Sequence, residues 1–430
     1  MKNKQLIFNG LLIALIILEN LFLYYFYRNG ILTQGINAIG LFLSSIFFGI
    51  VLIYKFYNVG IQETYPQPAK RNLISYSMIL LLITGLVILG IQNHGLFSSH
   101  AINFRSSDII PLIQVMCKRL LHGQFAYSLV NDFGYPLRAT YLPAQWMPFT
   151  IAELLHKDYR WVTYGVWCIA GIWLCVRSIK ISSPMLRAII PLLVFASYYV
   201  LQSNNIGIVE ITVELLISAY YMILIMGFNQ NNGILQGIII SLCLLSRYSL
   251  VLWLPLYCFI LFVTNNRKQL YMAVTTSLVI ITVLYVIPFL SKDWTIFYKG
   301  YKYYDSSAYF EWTKLNDKGK PSQLFVGTGY AYYFYTRFPN LDVMSRIKLL
   351  QRTHLVCSVL VTILMGIWFW FKKEKINYKI FMISSFKIYL AVFLFLIQVP
   401  YEYLMIVGNF VSIAIFCEQA RYKVGAYTNQ

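Results

Sequence analysis

About twelve stretches of this chain are apolar, nearly uncharged and close to the ~20 residues that a bilayer crossing requires. They lie near 6–27, 36–54, 73–92, 160–176, 186–201, 206–228, 233–246, 249–264, 270–290, 349–371, 380–398 and 402–420. Such a chain has no means of covering a water-facing surface. Of its residues 59% are hydrophobic and only 12% charged, where a soluble domain carries roughly 25% charged. The runs are continuous rather than alternating, which argues against a β-barrel. The expected fold class is therefore an all-α polytopic membrane protein, one integral domain over residues 1–430, with about twelve transmembrane helices. The first run follows Lys2 and Lys4 as a signal peptide would. Its length, its Glu19 and the want of a small-residue cleavage site make it a retained span.

The formal charge is +19. Much of it sits in short connections, where it sets topology and meets anionic headgroups. That distribution gives no nucleic-acid signature; the expected surroundings are membrane lipids. Lys2 and Lys4 precede the first run; Lys55, Lys70 and Arg71 follow the second; Arg177, Lys180 and Arg187 follow the fourth. Arg267 and Lys268 follow the eighth, Lys372, Lys373, Lys375 and Lys379 the tenth, and Arg421 and Lys423 the last. With twelve crossings all fall on one side, so that side is cytoplasmic and both termini lie there. Two long extracytoplasmic loops remain, 93–159 and 291–348, both mixing aromatics with charge as interfacial segments do. The seven cysteines include no CxxC pair, and all but Cys117 lie in apolar runs, so neither a disulfide framework nor a zinc site is expected.

The first loop is the most informative stretch. Ser106 or Ser107 can cap a helix that starts at Asp108. At about 100° per residue, Asp108, Gln114, Lys118, Arg119 and His122 share one arc, and an apolar set from Ile109 to Leu121 takes the other. That pattern is an interfacial amphipathic helix, and Gly123 can end it. The helix N-terminus favours an ionised Asp108, which either caps the helix or accepts a proton. The run TYLPAQWMP, Thr140 to Pro148, reads as a re-entrant or interfacial hairpin, tolerated at membrane depth only under cover of protein or a water-filled cavity.

Four further features bear on chemistry. The short runs 233–246 and 249–264 meet at Ser246-Arg247-Tyr248. An arginine near a span centre costs about 2.5–3.5 kcal/mol, so Arg247 belongs at a turn. There it reaches headgroups or a phosphate, which the guanidinium fork suits. Glu210 and Glu214, four apart, fall on one face of the 206–228 run, after Gln202, Asn204 and Asn205. They can bind sugar hydroxyls, pair with Arg247 or hold helices together. Glu19 and Glu402 are weaker cases, Glu19 having no partner nearby in sequence. The second loop carries KGYKYYDSSAYFEW and GTGYAYYFYTRF, which fits either acceptor binding or a Tyr-rich interface. Its GTG lacks the strand-to-helix context of a nucleotide loop, and the five histidines show no ligand spacing.

Asp108, then a helix into Gly123 and Tyr127, then Tyr141, Pro143 and Pro148 resembles the first outer loop of C-type integral-membrane glycosyltransferases. The nearest are the bacterial polyprenyl-phosphomannose-dependent mannosyltransferases. Gly233 to Tyr257 also resembles their pattern, with Arg247 where lysine is more usual. That family places its Asp after the first span, whereas Asp108 follows the third, which requires two extra N-terminal spans; and no acidic pair flanks Asp108 as in the metal-dependent oligosaccharyltransferases of the same fold.

The resemblance implies an inverting hexosyltransferase of the bacterial cytoplasmic membrane. It takes a sugar, mannose before others, from a polyprenyl-phosphate donor to a glycan, lipid or protein hydroxyl. Asp108 is the implied general base. Arg105, Arg138 and Arg247 are the donor-phosphate candidates; Glu210, Glu214, Tyr127 and Tyr141 are the sugar or acceptor candidates. No metal or other cofactor is implied. The alternatives are an O-antigen or capsule polymerase and a lipid-linked sugar flippase or transporter. A transporter would gather polar residues at the midplane of repeated halves, whereas no repeat is visible here.

Overall fold

The computed structural model of the chain describes residues 2–63, 68–203 and 207–425. Asn204 and Asn205 lie outside them. The described residues are helical apart from turns, two isolated bridges and one antiparallel ladder, Gly60–Glu63 with Tyr422–Gly425. Among the described residues, eight helices are long and apolar enough to cross a bilayer: Gln5–Tyr24, Gln34–Lys55, Leu80–Ser99, Pro184–Gln202, Arg267–Leu290, Val343–Lys375, Tyr378–Phe395 and Glu402–Ala420. The chain is a multi-pass membrane protein on that ground. Arg160–Ser178, at 19 residues, stands outside the eight. Glu214–Phe228, Gly233–Leu244 and Leu254–Val263 are shorter apolar helices.

Three expected boundaries shift. The third helix runs on to Ser99, past the expected end at 92. The helix from Val343 starts inside the expected second loop. The 206–228 run is not one helix: it breaks between Ile208–Ile211 and Glu214–Phe228, with Thr212 extended at φ −127°, ψ 170°. The β-branched sequence Ile-Thr-Val weakens the helix there. The Thr212 hydroxyl donates back to Ile208 O at 2.6 Å. Glu210 and Glu214 therefore do not share a helix face, contrary to the spacing argument.

Helices polar on one side stay outside, and those apolar all round go inside. Glu402–Ala420 and Glu214–Phe228 are buried along almost their whole length and pack on each other. Around them stand Lys2–Tyr24, Tyr378–Phe395, Pro184–Ser203 and Arg160–Ser178. Polar pairs bind this bundle at several levels. Lys387 Nζ lies 2.7 Å from Glu19 Oε1 and donates to Ser45 Oγ and Gly408 O at 3.1 and 2.9 Å. Glu418 accepts from Arg177, Arg421 and Asn229. Glu402 accepts from Arg28. Glu19, Glu418 and Glu402 thus each have a partner of opposite sign, as a charge in an apolar bundle requires.

The ladder joins the end of the second crossing helix to the end of the last, which puts those two ends on one side of the bundle. The long loops gather at the opposite end. Tyr27 donates to Phe325 O at 2.6 Å, Asn37 to Gly327 O at 2.6 Å and Thr328 to Pro400 O at 2.9 Å. This gives the GTG a backbone role. Gly327 has φ +75°, and a Cβ there would stand 2.7 Å from Tyr27 Cγ, so only glycine lets the chains approach.

Candidate functional site

The first loop folds as its pattern requires. Ile109–Leu121 is helical, with Ile110, Leu112, Ile113 and Met116 buried. Lys118 and His122 are exposed. Gly123, at φ +72°, ends the helix. Asp108 is the residue before the helix, yet its side chain makes no capping bond; Ser107 Oγ instead accepts from Ile109 N at 3.3 Å. The half-buried Asp108 carboxylate takes a hydrogen bond from the Tyr135 hydroxyl at 3.2 Å.

The Pro-rich half of the loop is held by groups from the bundle. Ala144 N donates to Leu245 O at 2.9 Å, and the Tyr220 hydroxyl donates to Ala144 O at 3.1 Å. Tyr127 donates to Tyr141 O at 2.9 Å and receives Trp146 Nε1 at 3.2 Å. The irregular backbone here is satisfied by protein groups, the condition for such backbone at membrane depth.

The same contact fixes the second broken element. Gly233–Leu244 ends, Arg247 is extended at φ −154°, ψ 144°, and a single 3-10 turn follows at Tyr248–Leu250. Ser249 is locked by the Tyr221 hydroxyl at 2.6 Å and by Tyr389, which donates to its carbonyl at 2.7 Å. Arg247 leaves this turn toward Glu214 and ion-pairs with it. Glu214 sits in the first turn of its own helix, where the macrodipole favours the carboxylate. Its Oε1 carries the pair, while its buried Oε2 has no partner among the described residues.

These breaks surround a cavity of about 700 Å³. Tyr127, Tyr141, Glu214 and Arg247 all line it. Phe297, Tyr301 and Tyr304 of the Ile296–Thr313 helix, inside the second loop, lie across from them on its wall. Gln351, His354 and Leu355 come from the Val343–Lys372 helix, Gln398 and Tyr401 from the last connection between spans, and Tyr403 from the start of the Glu402–Ala420 helix. Such a cavity, mostly apolar with a few convergent polar groups, is where a ligand site is expected.

Asp108 does not line the cavity; it precedes the lining residue Ile109, and its charge acts on the lining residue Tyr141. Burial, then the Asp108 charge and hydrogen bond, push the Tyr135 phenol up to about 12. Burial also raises Tyr141 well above the ordinary phenol range, with Asp108 the next cause. Glu311 of the Ile296–Thr313 helix is raised by burial, against hydrogen bonding to Tyr401 and the Lys314 charge, with the Asp108 charge adding to it. A second acid therefore lies within electrostatic reach of Asp108, at a position the sequence reading did not single out.

Four predicted residues lie apart from the lining, Asp108 among them. Arg105 is exposed in the turn before the helix, and Arg138 is half-buried beside the Val130–Leu137 bridge. Glu210 sits across the helix break, 4.0 Å from His100 Nδ1. Of the three arginines named for a phosphate, Arg247 is the one on the cavity wall. Gln351, His354, Gln398 and Tyr403 were missed, whereas Tyr304 lies in the KGYKYYDSSAYFEW stretch that the sequence offered for acceptor binding. Gln351 and His354 did carry a signal, as polar residues three apart at the head of an apolar run. No protein-family model, curated protein or solved structure matches the chain.

Proposed function

We propose that this protein is an inverting glycosyltransferase. It moves a sugar, mannose first, from polyprenyl phosphate to a hydroxyl of a glycan, lipid or protein at the outer face of a bacterial cytoplasmic membrane. The observation that carries the reading is one cavity with the Arg247–Glu214 pair on its wall and Asp108 adjoining its lining residue Ile109. The fold-level analogy comes from the motifs of the first loop and the Gly233–Tyr257 segment. The positive-inside pattern supports the orientation, with both termini cytoplasmic and both long loops outside. Twelve crossings follow if Arg160–Ser178 and the three shorter apolar helices pass through the membrane beside the eight long ones.

Asp108 takes the proton from the acceptor hydroxyl as that oxygen attacks the anomeric carbon. The bond from that carbon to the phosphate oxygen breaks, and polyprenyl phosphate leaves with the electron pair. Arg247 stabilises the charge that develops on it. Tyr127, Tyr141 and Glu214 contact the sugar. The apolar lining from Val251, Leu252 and Leu355 suits the start of the prenyl chain.

The test is transfer from synthetic polyprenyl-phosphate mannose by the purified chain in proteoliposomes. Asp108→Asn lowers turnover by about 10²–10⁴-fold, the span of general-base assistance, with melting unchanged. Retention of most activity removes Asp108 from the base role. Growth of a diphosphate-linked oligosaccharide instead indicates a polymerase. Movement of lipid-linked sugar across the bilayer without covalent transfer indicates a transporter.

A further inference from the structure

The Ile296–Thr313 helix shows two faces besides its buried one. Phe297, Gly300, Tyr301 and Tyr304, spaced i, i+3, i+4 and i+7, line the cavity. Tyr298, Lys302, Ser306, Tyr309 and Thr313, spaced i, i+4, i+8, i+11 and i+15, are all exposed. Residues at such spacing look out in one direction.

Two tethers set the depth of this helix. The Arg267–Leu290 span ends five residues before Ile296, a connection that reaches at most roughly 20 Å. At the other side, Lys348 Nζ donates to Asp305 Oδ2 at 2.7 Å and to the Tyr301 hydroxyl at 3.3 Å, and Gln351 Nε2 donates to Asp305 Oδ1 at 2.7 Å. The helix is thus held at the ends of two spans.

Along both spans, leading up to the tethers, the outer surface is apolar. Leu278, Val283 and Ile287 are exposed on one span, and Val356, Val359 and Ile363 on the other. In a multi-pass chain such stripes face acyl chains. At the tethers the character changes. Lys292 and Trp294, the latter 68% exposed, follow Ile287, and Arg352 stands one turn before Val356 on the same face. Trp, Tyr, Lys and Arg at the end of an apolar stripe belong to the headgroup layer.

The cations there are not equally engaged. Lys299 and Lys348 are taken by Asp293 and Asp305. Lys292, Lys302 and Arg352 are exposed and join no ion pair among the described residues; Lys302 lies over the Tyr298 ring at 4.6 Å. Residues 291–348 carry nine Lys and Arg against five Asp and Glu. A positive surplus beside headgroups complements a lipid with a net negative head.

We propose that Lys292, Lys302 and Arg352, with Trp294 and Tyr298, dock the Ile296–Thr313 helix on anionic phospholipid headgroups, and that this contact steadies the aromatic wall of the cavity. The phospholipid is a structural partner and not the substrate. It meets the outward side of the helix, while Phe297 and Tyr304 serve the cavity. The docking stands without the transferase reading, because it is read from the order of the helix.

The experiment follows amide exchange of residues 296–313 in the full chain, in nanodiscs of phosphatidylcholine with increasing phosphatidylglycerol. Protection rises with the phosphatidylglycerol fraction and falls in high salt. Lys302→Gln and Arg352→Gln each raise the fraction needed for half protection about fivefold, the scale of one cation at an anionic surface. Lys268→Gln, an exposed cation at the far end of the Arg267–Leu290 span, leaves that fraction unchanged. Glycerol phosphate added to phosphatidylcholine discs gives no protection. Equal protection in both lipids, half-protection unmoved in both variants, an equal shift from Lys268→Gln, or full protection by glycerol phosphate overturns the proposal.

Discussion

The Arg247 guanidinium and the Glu214 carboxylate pair across two broken helices, on the wall of one cavity. Neither charge is tolerable in an apolar bundle by itself. Together they leave guanidinium N–H groups for an anion, since one nitrogen serves Glu214 and the fork has five donors.

In the proposed transfer, Arg247→Met removes a donor aimed at the leaving phosphate. The expected result is a drop of about 10²–10³-fold in kcat, as for loss of a preorganised electrostatic contact. Glu214→Gln keeps a hydrogen bond to Arg247 and loses less. Steady-state kinetics on both variants, with donor varied, check the order of the two effects. Equal activity of Arg247→Met and the unaltered chain removes Arg247 from the phosphate.

The Glu19–Lys387 pair makes a prediction about stability. Both residues are 1% exposed. Lys387→Met leaves a buried carboxylate unpaired and costs about 3–5 kcal/mol, whereas replacing both partners by Leu and Met is close to neutral. Thermal unfolding in detergent of the single and double variants measures the difference. A single variant as stable as the double one refutes the pairing.

Asp293 gives a pH dependence at the head of the Ile296–Thr313 helix. Lys299 Nζ bonds its Oδ2 at 2.7 Å, and Thr295 bonds its Oδ1. These hydrogen bonds, with Lys299 first, hold its carboxyl down to about 2 from an ordinary 3.8. A depressed folded-state value means the contribution is whole above 3.8 and is lost as pH falls through about 2. Amide-exchange protection at the start of this helix therefore persists to mild acid and falls across that window. Lys299→Ala moves the loss to higher pH.

The chain's local pattern carried the class of fold and the general place of the site. A bilayer crossing is set by some twenty neighbouring residues, so the apolar runs show where helices form. The amphipathic period of Ile109–Leu121 and the stop at Gly123 are local in the same way. The break at Thr212 was missed because a continuous apolar run looks the same whether or not its helix is interrupted. That miss put Glu210 beside Glu214, when the break separates them.

By itself the sequence determined that this chain crosses a membrane many times, and that polar loops with Asp108 and Arg247 interrupt the crossings. The tertiary structure decided which distant groups meet: Arg247 with Glu214, Lys387 with Glu19, Gln351 with Asp305 and Gln398. The physical reason is range. Helix formation is driven by near neighbours and by the solvent, whether water or lipid. Partner choice for a buried charge depends on packing between segments tens to hundreds of residues apart, on which local periodicity is silent.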